Sequence, residues 1–251
     1  MSSSIWTRCA GDSELRLLRL SAVRVVEAQH QVSTRKLVNS AEEQALLEEL
    51  IDGAKPPDPT GGALHYLLST PFRYPPLAHG SRFGGRFERG IWYGSESPRT
   101  AFAEVAYYRL LFLEGTSAEL GTIHTPLTAF TVRARSRRGV DLTAAPFDAH
   151  RRSIASRTRY AATQALGSAM RASGVELFRY PSARDTEGGV NVGVMSPAAF
   201  GTAKPAALTT WHCMANKQRV ELTKGDYFTR ESFAFERAQF LVDGALPMPA
   251  V

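Results

Sequence analysis

The stretch from Gly80 to Arg109 constrains this chain most, because three kinds of local structure follow one another without a break. It opens with Ser81-Arg82-Phe83-Gly84-Gly85-Arg86, two arginines set among glycines. Ile91-Trp92-Tyr93-Gly94 is a short apolar run bounded by glycines and reads as a strand. Ser97 is then an N-cap candidate, with Pro98 at the first helical position. The periodicity predicts a helix from Thr100 to about Glu114, with Ala101, Val105 and Tyr108 on one face and Glu104 beside them. A loop, a strand and a helix therefore bring two arginines, a tyrosine and a carboxylate into one short stretch.

The rest of the chain supplies more strands than helices. Leu18 to Ala28 alternates enough for a strand or a short irregular pairing, behind a frayed start at residues 1–16. Ser40 to Glu43 matches a capping box, and Leu46, Leu47, Leu50 and Ile51 give the following helix an apolar face. Lys55 to Gly62 is too rich in proline and glycine to continue it. Leu64 to Leu68 is a short apolar segment, and Pro71 to Pro76 reads as extended. Further strands are expected within Gly121–Ala134, Val140–Leu142, Val175–Tyr180 and Val190–Met195, and Ser156–Ser173 is expected to be a helix. Leu208–Met214 and Arg219–Thr223 can pair as a hairpin. These strands do not alternate with helices as a doubly wound fold requires, so the expected class is α+β with a mixed or split sheet and peripheral helices. Residues 1–63 are expected to form an N-terminal helical extension, and 64–251 the main domain.

The composition is that of a globular protein, 251 residues long and 43% hydrophobic. No apolar run approaches membrane-spanning length, and no apolar leader follows a basic start, so a cytoplasmic protein is expected. Cys9 and Cys213 are the two cysteines, too few and too distant for a disulfide framework or a zinc site. None of the six histidines pairs with another at metal-ligand spacing, and no metal is expected. The net charge of +6 admits an anionic substrate, nucleic acid or an acidic partner. The arginines are scattered along the sequence and form no block interleaved with aromatics, so direct nucleic-acid binding is not favoured.

Each candidate residue has a plain structural reading beside its functional one. Arg82 and Arg86 could hold a pyrophosphate through forked donors, or simply flank a glycine turn on the surface. The loop matches neither a dinucleotide-fold nor a phosphate-loop fingerprint. Tyr93 could stack on a ring or fill a half-buried strand. Glu104, amid Phe102-Ala103 and Val105-Ala106, either points to solvent or sits in a cleft against a partner. Ser182 follows a strand and stands beside Arg184 and Asp185. It lacks the surroundings of a hydrolase nucleophile and could bind a ligand or shape a turn.

Together these residues resemble the RES-domain family. The resemblance rests on Ser81-Arg82-Phe83, Gly90-Ile91-Trp92-Tyr93, Thr100-Ala101-Phe102-Ala103-Glu104 and Tyr180-Pro181-Ser182-Ala183-Arg184-Asp185. It covers about Leu64 to Ala215. It implies the toxin of a toxin–antitoxin pair, with a fold similar to ADP-ribosyltransferase toxins. The implied substrate is NAD+, cleaved at the nicotinamide–ribose bond by hydrolysis or phosphorolysis. In some members ADP-ribose is instead transferred to a protein. The implied partner is an Xre-type helix-turn-helix antitoxin. By carry-over Arg82, Tyr93, Glu104 and Ser182 form the site, with Arg86 or Arg73 assisting at the pyrophosphate. One departure concerns arginine-modifying transferases of the related fold, which carry a second carboxylate two residues before the catalytic one. Here that position is Phe102. A non-catalytic binding module is the reading from another class.

Overall fold

The computed structural model describes residues 4–28, 37–74, 78–225 and 230–248. In chain order it contains α1 (Ile5–Arg8), β1 (Arg16–Glu27), α2 (Ala41–Ala54), α3 (Tyr66–Arg73), β2 (Trp92–Ser95), α4 (Pro98–Gly115) and β3 (Ile123–Asp141). There follow α5 (Arg151–Ile154), α6 (Ala161–Ala172), β4 (Leu177–Pro181), β5 (Val190–Val194), β6 (Ala206–Ala215), β7 (Arg219–Gly225) and β8 (Arg230–Glu236). The class is α+β, as expected: an eight-stranded mixed sheet with helices around it. The strand order is β1-β2-β5-β4-β3-β6-β7-β8, and β1 also pairs with β3. Five strands therefore close on themselves, and the β6-β7-β8 meander extends from β3. The β3–β4 pairing is parallel.

The length of β3 makes this possible. One edge pairs with β1 from Leu127↔Glu27 to Gly139↔Arg16. The other edge pairs with β6 over its first half and with β4 at Gly139–Asp141. The expected strands at Gly121–Ala134 and Val140–Leu142 are thus one strand. Asp141, at its end, pairs with Arg16 at 3.1 Å and Arg179 at 3.3 Å, and Arg179 reaches Glu96 at 2.7 Å. Burial opposes the Asp141 charge, but hydrogen bonds from Thr143 and the two guanidiniums outweigh it and hold the carboxyl below its ordinary pKa.

Helix α4 starts where expected, with the Ser97 hydroxyl accepting from Thr100 N at 3.1 Å. It lays Phe102, Ala106, Tyr107 and Leu110 onto Leu127, Trp211, Leu222 and Phe235 of the meander face. Strand β8, a segment to which no element had been assigned, completes that face by pairing with β7.

Four local expectations change. The start is not frayed: the Ser4 hydroxyl caps α1, and Ile5 and Trp6 are buried in a core shared with Phe147 and Leu166. Within the expected helical extension, residues 16–27 are a strand of the sheet, while α2 is helical and buries no residue. Pro71 lies inside α3 rather than in an extended run. A proline there supplies no N–H to the preceding turn, and the freed Leu67 carbonyl accepts the indole N–H of Trp92 at 3.3 Å. Pro75 and Pro76 lie outside the described residues. Finally, the predicted helix at 156–173 begins only at Ala161, and a turn precedes it that has its own task.

Candidate active site

A cleft of about 600 Å³ opens between β1, β2, α4 and the loop before β2, within the usual size of small-molecule sites. Glu104, Arg82, Tyr93, Arg24, Asn191 and Tyr180 line it.

Glu104 enters from α4, nearly two turns beyond the helix start at Pro98. Its Oε1 accepts two hydrogen bonds, from Ser182 Oγ at 2.8 Å and from Asn191 Nδ2 at 2.6 Å. Both donors are themselves oriented. The Ser182 hydroxyl accepts from the backbone N–H groups of Arg184 and Asp185, each at 3.1 Å, so its one proton is directed at Glu104. The Asn191 carbonyl oxygen accepts from Ser95 Oγ at 2.7 Å, which turns the amide nitrogen toward Glu104. Ser182 is 7% and Asn191 3% exposed, so water does not compete freely for these bonds. Neither bond uses Oε2. Among the described residues Glu104 forms no ion pair, so its charge faces the cleft without a cationic partner.

The loop carrying Ser182 is pinned to the start of the same helix. Thr100 Oγ1 donates to Asp185 Oδ2 at 2.8 Å, and Arg99 lies 3.4 Å from Asp185 and 2.8 Å from Glu187. A Cβ at Gly189 would stand 2.1 Å from Thr100 Oγ1, so a glycine lets the loop close against the helix. Residues 78 positions apart are brought together by this contact.

The opposite wall is cationic. Arg82 is 9% exposed; its Nη1 donates to the carbonyl of Ser156 at 2.7 Å, and its guanidinium lies 4.6 Å from the Tyr160 ring centroid. A helix through Ser156 would spend that carbonyl on its own N–H partner, which accounts for the turn before α6. The loop is held by Gln164, donating to the carbonyls of His79 and Ser81, each at 3.1 Å. Tyr93 holds it from below, exchanging a hydrogen bond with Ser81 Oγ at 2.9 Å and accepting from Phe83 N at 3.2 Å. Burial pushes the Tyr93 hydroxyl up to about 12, so it stays neutral. Burial, with Tyr160 and Glu104 close by, also raises Tyr108 well above its ordinary value.

The structure separates the other two sequence candidates from the cleft. Arg86 is exposed and stacks on Phe87, 4.4 Å from its centroid. Arg73 turns the other way and donates to the carbonyl of Pro56. Neither lines the cleft. Arg24 and Asn191 were missed. Each is a polar residue inside an apolar strand, Val23-Arg24-Val25-Val26 and Val190-Asn191-Val192, and that pattern was the available signal. Arg24 stacks over Trp92 at 5.3 Å, and its Nη1 is buried without a hydrogen-bond partner among the described residues. Burial lowers its pKa to about 10, which still leaves it charged at neutral pH.

The described residues contain no group of three or more His, Cys, Asp or Glu side chains able to hold a metal, and no helix long and apolar enough to cross a membrane. No curated protein matches the chain. Among solved structures, the MbcT-MbcA toxin-antitoxin complex of M. tuberculosis is similar to it, at 12% identity and a TM-score of 0.49, over 83% of this chain and 92% of that one. The RES domain model matches residues 59–216, which include Arg82, Tyr93, Glu104, Ser182 and Asn191. That match spans more than half of the sequence, and the chain belongs to the RES-domain family.

Proposed function

We propose that this protein is a toxin that cleaves the nicotinamide–ribose bond of NAD+ and is neutralised by a cognate Xre-type antitoxin covering the cleft. The observation that carries the reading is the Glu104 carboxylate, fixed through one oxygen by two neutral donors and, among the described residues, paired with no cation. Departure of nicotinamide leaves an oxocarbenium-like ribose. A preorganised carboxylate stabilises that developing positive charge more than it stabilises the ground state. A salt bridge to Arg82 would cancel this advantage, and Arg82 instead gives its Nη1 to the carbonyls of Ile154 and Ser156.

Arg82 and Arg24, both lining the cleft, would meet the pyrophosphate. Tyr93 would present its ring to the nicotinamide while its hydroxyl keeps the Arg82 loop in place. Ser182 spends its proton on Glu104 and acts by positioning that group. Phe102, two residues before Glu104, is fully buried against Trp211 and Phe233. The acceptor-activating carboxylate of arginine-modifying transferases has no counterpart there, which favours water or phosphate over a protein acceptor. The substrate and a neighbouring antitoxin imply a cytoplasmic setting.

Incubating the purified protein with NAD+, with and without phosphate, is expected to release nicotinamide and either ADP-ribose or its phosphate. Absence of nicotinamide under both conditions would overturn the reading. A labelled protein band from labelled NAD+ in lysate would replace it with protein ADP-ribosylation.

A further inference from the structure

The arginines that look scattered in the sequence are gathered by the β1–β3 register. Arg19 lies directly opposite Arg135, and Ser21 opposite Arg133. Side chains on a strand alternate between faces, so Arg133, Arg135 and Arg137 share one face, and the direct pairing places Arg19 on it too. All four are exposed, while Ala22, Val132, Ala134 and Ser136 on the opposite face are buried. Among the described residues none of the four forms an ion pair. Arg16, further along β1, is by contrast tied to Asp141.

Like charges directly opposite in a sheet destabilise it. Here two guanidiniums face each other across a strand pair, with two more along one strand at intervals of about 6.8 Å. The same face of β1 continues through Val23 and Val25 into the cleft. We infer that this ladder is a docking surface for the phosphate backbone of a nucleic acid, lying alongside the cleft and separate from the substrate site.

Charge complementarity selects the occupant. All four groups are guanidiniums, whose forked donors suit phosphate oxygens. The ladder offers no aromatic anchor of the kind that dominates protein–protein interfaces. A row of backbone-directed cations without base-reading groups gives binding that is sequence-independent and salt-dependent.

The test is fluorescence anisotropy of the full chain with a random-sequence DNA duplex and a random single-stranded RNA, across a salt series. Neutralising about four phosphates predicts a slope near −3.6 in log affinity against log salt on duplex DNA, or roughly a hundredfold weakening from 50 to 200 mM. The triple variant Arg19→Ser, Arg133→Ser, Arg135→Ser should flatten that slope to about −1. Lysine at the same three positions should preserve it. Serine at Arg151 and Arg152, exposed on α5 rather than on the β1–β3 pair, should leave it unchanged. Thermal melting of the serine triple variant at or above the parent shows that lost binding is not lost folding. Failure to bind either polymer at 50 mM salt overturns the inference, as does equal loss in the α5 control. Binding to polyglutamate with none to nucleic acid would also overturn it, in favour of an acidic protein. Nicotinamide release plays no part in these readouts, so this inference and the proposed activity stand or fall separately.

Discussion

Arg82 and Glu104 face the same cleft, and the chain holds them by different means. Arg82 is fixed by backbone carbonyls and an aromatic ring, supplied by the turn before α6. Glu104 is fixed by two neutral side chains from the β4–β5 loop and β5. Arg24, on the cationic side, has a buried guanidinium N–H with no hydrogen-bond partner among the described residues. One wall stores unused donor capacity and the other stores unneutralised negative charge. The contrast predicts that changes to the cationic wall alter substrate affinity, while changes to the carboxylate wall alter turnover.

The largest expected effect is on the carboxylate wall. Glu104→Ala should lower kcat for nicotinamide release by about a thousandfold, at the upper end of losses from removing a preorganised electrostatic group, with a small change in KM. Asn191→Ala keeps the charge but frees the carboxylate to move. It should lower kcat by up to about a hundredfold, the scale for misplacing a reacting group. Melting within a few degrees of the parent would separate positioning from folding, and a change confined to KM would break the contrast.

Arg24→Leu should act in the opposite sense on two quantities. Replacing a buried, unpartnered guanidinium by an apolar chain should raise Tm, since the desolvated charge opposes folding. It should also raise KM for NAD+ about tenfold, with kcat held, as expected for a lost charge-assisted hydrogen bond. A fall in kcat with unchanged KM would place Arg24 with the carboxylate wall.

The smallest effect lies away from the cleft. The Asp141 carboxyl is held below its ordinary pKa, so the stability it contributes is fully present above about pH 4 and is lost as the pH falls through its folded value. Asp141→Asn should therefore lower Tm at pH 7, and the gap to the parent should narrow on acidification. A gap independent of pH down to 3 would show that the network with Arg16 and Arg179 contributes no charge-dependent stability.

Much of the carboxylate wall was legible in the sequence because its signals are local. Ser97-Pro98 is a helix start by its own chemistry, and Glu104 stands out within an apolar run. Ser182 stands out just after a strand. Its bond to Glu104 depends on Asp185 reaching Thr100, a contact between residues 85 apart. No local pattern reports it, and the resemblance carried the pairing. The cationic wall was half legible. Arg82 and Arg86 have similar neighbours, and nothing in a glycine loop distinguishes a side chain that meets the carbonyls of Ile154 and Ser156 from one that meets solvent. Arg24 and Asn191 gave a signal, a polar residue in an apolar strand, whose meaning depends on strand register. Register also gathered Arg19 with Arg133 and Arg135, which the linear sequence presents as scattered. Helix α3 hides from a sequence reading because a proline usually ends a helix, and its cost there is offset by a partner, Trp92, from outside the segment.

Glu104→Gln tests the central claim most directly, because it preserves size and removes the charge. Nicotinamide release and NAD+ binding by calorimetry would be measured on the parent and the variant side by side. The account predicts that release falls to background while the dissociation constant changes by less than about tenfold. Release at the parent's rate from a variant that still binds NAD+ would contradict it.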